Sequence, residues 1–197
     1  MQVIKARQKQ LSILLSIGAV ALLQCLVAQA SLASGPQSIP KKYQIISGYL
    51  LHFTSFVRWP GLTAKEGIGI CIYGTDPLGE FLDEMIKVRP SNREGMPVFT
   101  RRIEAGGGLD GCSLVFVSQD SITDEFWNSV PDNHALLLVS DDPDFTRKGG
   151  VVSFYEDNKR LRIELNLVES RKSELDISSE LLKVVRITNT QTSESSQ

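Results

Sequence analysis

The sequence predicts an α/β fold: a single-domain sandwich with a mixed sheet flanked by helices, closed by a C-terminal β-hairpin and a following helix. Two observations lead there. Short apolar runs at residues 68–73, 113–118 and 135–139 alternate with segments of helical period, as in a sheet that is parallel at its centre. Residues 151–156 and 160–166 then alternate, with Val152, Phe154, Leu161, Ile163 and Leu165 available for one face and Arg160, Arg162 and Glu164 for the other. Asp157-Asn158 between them tolerates left-handed backbone, so these two runs form a hairpin.

Before the domain comes a leader. Lys5, Arg7 and Lys9 precede an apolar run from Leu11 to Leu23, and Ala28-Gln29-Ala30 offers small residues for cleavage. Residues 1–30 therefore read as a secretory signal peptide, with a retained membrane anchor as the alternative. Gln24 ahead of Cys25 argues against lipid attachment, which wants a small residue there. Without the leader, 18 basic residues stand against 23 acidic ones, a net charge of −5. No nucleic-acid partner is expected, because a duplex binder gains affinity by neutralising phosphates and no basic run here is longer than Arg101-Arg102.

Residues 31–40 are small, polar and proline-containing, a flexible lead-in. The domain is expected over residues 41–187. From Lys41 the period is helical, with Ile45, Ile46, Tyr49, Leu50, Phe53, Phe56 and Val57 on one broad face until Trp59-Pro60 stops it. A strand at 68–73 leads into Gly74-Thr75-Asp76-Pro77, where Asp76 is placed to cap a helix through Phe81, Leu82, Met85 and Ile86, with Pro77 at its first position. Residues 96–103 read as a polar, edge-like strand, Gly106-Gly107-Gly108 as a loop, and residues 124–130 as a short helix ended by Pro131. After the hairpin, Ile177, Leu181, Leu182 and Val185 share one side of a helix that Asp176 or Ser178 can cap. The Ser-, Thr- and Gln-rich tail, residues 188–197, is expected to be disordered.

Two cysteines, Cys71 and Cys112, remain after cleavage, an even count in an exported chain. A disulfide is the default reading and two buried free thiols the alternative. A bridge requires the strands at 68–73 and 113–118 to run side by side.

Chemistry is sparse. Gly74, Thr75 and Asp76 follow a strand and open a helix, where anions are often held, yet the loop has neither a dinucleotide pattern nor a Walker lysine. These three are the candidate ligand-binding residues. His52 and His134 stand apart without ligand spacing, and Asp141, Asp142 and Asp144 are better placed to cap a turn than to hold calcium. The charges between Glu169 and Glu174 suit a solvated helix face, and GxSxG is absent. The expectation is no enzyme, no catalytic residue, no metal and no cofactor. Phe53, Phe56 and Trp59 are the candidate partner-binding residues, with core packing as the competing role.

Several stretches together resemble the YfiR family of periplasmic proteins. They are 53–60, 70–74, 112–117, 145–150, and 161–182 with Asn166 and Ser178-Ser179-Glu180-Leu181-Leu182, in order from about Tyr43 to Ile187. The resemblance implies an exported, disulfide-bonded α/β protein of the periplasm, often a homodimer. It also implies a role: gripping the periplasmic part of an inner-membrane signalling protein, a diguanylate cyclase of the YfiN type or a sensor kinase, and lowering cyclic di-GMP and biofilm formation. Cys71 and Cys112 match one family disulfide; a second family pair has no counterpart here, so control through that pair is not implied. A periplasmic receptor for a small ligand, bound near Gly74 and Asp141, is the alternative function.

Overall fold

The computed structural model describes residues 39–132 and 135–189. The leader, the lead-in through residue 38, His134 and the tail from residue 190 lie outside the described residues. Helix α1 (Lys41–Phe56) opens the domain and gives way directly to β1 (Val57–Arg58). Next come β2 (Ile68–Tyr73), α2 (Glu80–Val88), β3 (Val98–Ile103), β4 (Leu114–Val117), α3 (Asp124–Ser129) and β5 (Leu137–Ser140). The chain closes with β6 (Val152–Asp157), β7 (Arg160–Asn166), α4 (Leu167–Lys172), β8 (Asp176–Ile177), α5 (Ser179–Leu182) and β9 (Arg186–Thr188).

The main sheet has the order β3-β2-β4-β5-β6-β7-β9. Strands β3 to β6 are parallel, β7 returns antiparallel to β6, and β9 runs parallel to β7. The mixed sheet expected from the sequence is therefore present, with the more polar β3 at one edge. Residues 68–73, 114–117 and 137–140 are buried throughout because both faces of the central strands are covered. On one face α1 packs across β6, its Tyr49 and Phe53 rings 5.8 and 6.2 Å from that of Phe154. On that face α2 also meets β3, through Asp83 with Thr100 and Arg102. The opposite face carries Tyr73, whose ring meets that of Phe126 in α3 at 5.1 Å.

Three local expectations are corrected. Helix α2 begins at Glu80, not at Pro77, because Gly79 takes φ 53° and interrupts the path. Asp76 Oδ1 instead accepts from the amides of Leu78 (2.8 Å) and Gly79 (3.0 Å), closing a turn ahead of the helix. The single helix through Ile177 and Val185 does not form. Ile177 pairs with Val57 in a two-stranded sheet, leaving a four-residue α5 that Ser178 caps through the Leu181 amide. Finally, the solvated face of the 169–174 segment is narrower than expected, with Arg171, Lys172 and Glu174 exposed. Glu169 and Ser170 are buried in α4, which Asn166 caps at the amides of Val168 and Glu169.

Candidate functional site

In an open parallel sheet, ligands settle outside the carboxyl ends of the strands where the winding direction reverses. Here the reversal falls between β2 and β4, since β3 lies to one side of β2 and β4 to the other. Gly74, Thr75 and Asp76 occupy this position, directly after β2. The Gly74 and Thr75 amides and the Asp76 carboxylate are already engaged. Ser121 Oγ, from the turn after β4, accepts from the Thr75 amide at 3.0 Å. Gly74 has φ 69°, and a Cβ there would lie 2.6 Å from that oxygen, so only glycine lets the two loops meet. Asp76 closes its own turn with one oxygen and bonds Arg102 Nε at 3.0 Å with the other. Arg102 also reaches the carbonyl of Gly79 and both oxygens of Asp83. That fork, with Thr100, holds the Asp83 carboxyl below the ordinary carboxylate range. The turn at this crevice is therefore braced from within, with Asp76 occupying the amides of Leu78 and Gly79.

Asp141 anchors the adjoining strand end. Only 5 % exposed, it accepts Lys42 Nζ (2.8 Å) and Tyr43 OH (3.0 Å) on Oδ2, and the Gln119 amide (2.9 Å) on Oδ1. It pins the first turn of α1 over the ends of β4 and β5. Asp142 is also buried, with Lys148 Nζ at 2.5 Å and the Asp144 amide at 2.9 Å. The acidic cluster thus caps turns, and among the described residues no group of three or more His, Cys, Asp or Glu is placed to hold a metal ion.

Burial, with the Asp141 charge second, pushes the Tyr43 hydroxyl up to about 12. A raised phenol in the folded state means that its contribution is intact below pH 10 and fades as pH climbs through 12, when the unfolded tyrosine ionises first. Tyr43→Phe should therefore flatten the alkaline limb of a stability profile, removing a wild-type loss on the order of 1–2 kcal/mol between pH 10 and 12. Urea melts across that range would measure it; parallel wild-type and variant curves would contradict the assignment.

The aromatic trio divides. Phe53 is fully buried, and Trp59 is 8 % exposed with its indole N–H on the Ser113 carbonyl at 2.8 Å, so both serve the core. Phe56 alone reaches the surface, half covered by the Arg93 guanidinium 4.8 Å from its ring centre and stacked with His52. The sequence missed the neighbouring feature. Helices α1 and α2 leave between them an apolar groove of about 480 Å³, lined by Gly48, Leu51, Phe81, Met85 and Val88 with polar groups from His52, Glu84 and Arg89. Both helices show apolar spacing, but which residues stay uncovered depends on how they lie on the sheet.

Cys71 and Cys112 form a disulfide that staples β2 to the segment leading into β4. The free-thiol alternative is set aside.

These features define a class: a disulfide-braced α/β protein whose strand-end loops are tied to one another and whose open apolar relief lies on a helical face. The chain belongs to the YfiR/HmsC-like family, whose model matches residues 43–186. Membership implies a regulatory protein of the periplasm. No curated protein matches the chain.

Proposed function

We propose that this protein is an exported repressor that binds the periplasmic domain of an inner-membrane signalling protein, foremost a diguanylate cyclase of the YfiN type, and favours its inactive arrangement. The family match over residues 43–186 carries the reading. The Cys71–Cys112 bridge supports it, since such bonds persist in oxidising compartments. So does the engagement of the strand-end loop by its own side chains, which favours a binding surface over a small-ligand pocket.

No bond need be made or broken. A binder that prefers the inactive receptor shifts its population by the ratio of its affinities for the two states, and a hundredfold preference is worth about 2.7 kcal/mol. Deleting the gene should raise cyclic di-GMP and biofilm, and the exported chain should capture a diguanylate cyclase from detergent-solubilised inner membranes. Unchanged cyclic di-GMP together with capture of a sensor kinase would move the reading to that receptor class. Unchanged cyclic di-GMP with no signalling protein captured would end it.

A further inference from the structure

We infer that the outer edge of β7, at residues 160–163, takes up an extended segment of the receptor's periplasmic domain in which acidic and apolar residues alternate. This deepens the repressor reading and rests on it. The edge is open because β9 is short: it pairs with β7 from Glu164 onward and leaves the four preceding residues without a strand beside them among the described residues. The hairpin fixes what those residues offer. Asp157 pairs with Arg160 across the two-residue turn, and bonded pairs recur at every second position of an antiparallel ladder. Arg160, Arg162 and Glu164 therefore turn their amides and carbonyls toward β6, whereas Leu161 turns both of its own outward. An outward donor and acceptor on one strand residue call for another strand.

The side chains specify its sequence. A cleft of about 290 Å³ runs along the edge. Its apolar lining is Leu161 and Ile163, which share the Phe154 face of the hairpin, together with Val184, 73 % exposed. Arg162 and Arg186 line it from the Tyr155 face. The Arg186 guanidinium lies 5.0 Å from the Tyr155 ring centre and pairs with buried Glu164, while Arg162 meets Asp157 at 3.8 Å. Residues 156–164 and 183–186 carry five basic side chains against three acidic ones, one of them the buried Glu164, so the edge is locally basic in a mature chain of net charge −5. Successive residues of an added strand point to opposite faces, so its apolar residues meet Leu161 and Val184 while its carboxylates meet the arginine forks. The chain's own ends lack that pattern: residues 31–38 hold no acidic residue, and residues 190–197 hold Glu194 alone and no apolar side chain. A second copy carries the wrong charge. Two-fold pairing over residues 160–163 keeps each side chain on its own face, so Arg162 falls opposite another Arg162 or Arg160, and like charges directly opposite repel.

The test uses the full-length exported protein and reads Tm beside capture of the signalling protein from detergent-solubilised inner membranes. Leu161→Pro removes the outward amide without breaking a bond to β6, Leu161→Ala keeps the amide while shortening the same side chain, and Arg162→Glu reverses a charge at the cleft. Capture should fall about tenfold or more for Leu161→Pro and for Arg162→Glu, and less for Leu161→Ala. The Tm of Arg162→Glu should stay within about 2 °C of wild type, because the ion pair it breaks is an exposed one. A photo-crosslinking residue in place of Val184 should map to one receptor segment that alternates acidic and apolar residues. Wild-type capture by Arg162→Glu, or equal capture by the proline and alanine variants, would overturn the edge site and leave the repressor reading standing. Should the proline variant fail to fold, Arg162→Glu decides alone. An adduct between two copies of this chain would overturn the receptor segment in favour of a homodimer edge. Failure of the wild type to capture any signalling protein would overturn both readings.

Discussion

Replacing Cys71 and Cys112 by alanine together should lower the unfolding free energy by about 4 kcal/mol, the loss of entropy restriction for a loop of this length. The two residues are 41 apart in sequence, and the span between them includes α2 and β3. In the unfolded chain the bridge keeps that whole stretch short of its full freedom; in the folded chain it joins segments that the sheet already holds side by side. A loss of this size equals about a quarter or more of the total stability of an ordinary domain and corresponds to a Tm lower by roughly 8–16 °C. Guanidinium melts followed through Trp59 and Trp127 would report it. Alanine is preferred to serine because Cys71 is fully buried among apolar neighbours, where a hydroxyl would add a penalty of its own. If reduction relieves repression, the variant should also capture its receptor poorly at temperatures where it is partly unfolded. A variant as stable as wild type, with equal capture, would remove the redox link.

Gly150→Ala should be nearly as damaging, at about 3 kcal/mol, for a steric reason rather than a backbone one. A Cβ at residue 150 would stand 2.1 Å from Cδ1 and 2.3 Å from Cε1 of Phe145, against the 3.5 Å or more at which carbons rest. The Phe145 ring cannot step aside easily. It is fully buried, stacked on Trp127 at 5.5 Å and 6.3 Å from Phe126. The Gly150 amide also donates to the Phe145 carbonyl at 2.9 Å, so ring and glycine are tied within one short turn. Moving that turn would disturb Thr146, which donates its hydroxyl to Glu164 (2.5 Å) and accepts Asn166 Nδ2 at its carbonyl (2.9 Å). Pairing Gly150→Ala with Phe145→Leu should cost less than the two single losses added together, because the smaller side chain makes room. Simple additivity in a double-mutant cycle would place the cause elsewhere.

Much of the fold was legible because its signals are local. The hairpin is one example. Val152, Phe154, Ile163 and Leu165 alternate with polar residues and pair across a two-residue turn at Asn158-Lys159, one residue later than Asp157-Asn158, since Asp157 already pairs with Arg160. Asn158 adopts φ 50° as that turn requires. The buried strands announced themselves by unbroken apolar runs. The C-terminal segment misled for the same kind of reason: Ile177, Leu181 and Val185 have helical spacing, but Ile177 found a strand partner in Val57, some 120 residues earlier. The candidate sites fared similarly. That Gly74, Thr75 and Asp76 follow a strand was legible, while their place at the reversal of the sheet and the hydrogen bonds with Ser121 and Arg102 come from other elements.

From the residues alone came the layering, the mixed sheet and an edge position for β3. These follow from period and run length, which act over a few neighbours. Only the tertiary structure decided which surfaces are left open. It sank Phe53 and Trp59 into the core, left Phe56 at the surface, and laid α1 beside α2 so that Gly48 opens a groove. Exposure belongs to pairs of elements rather than to one, since a side chain is covered or bare according to what packs over it.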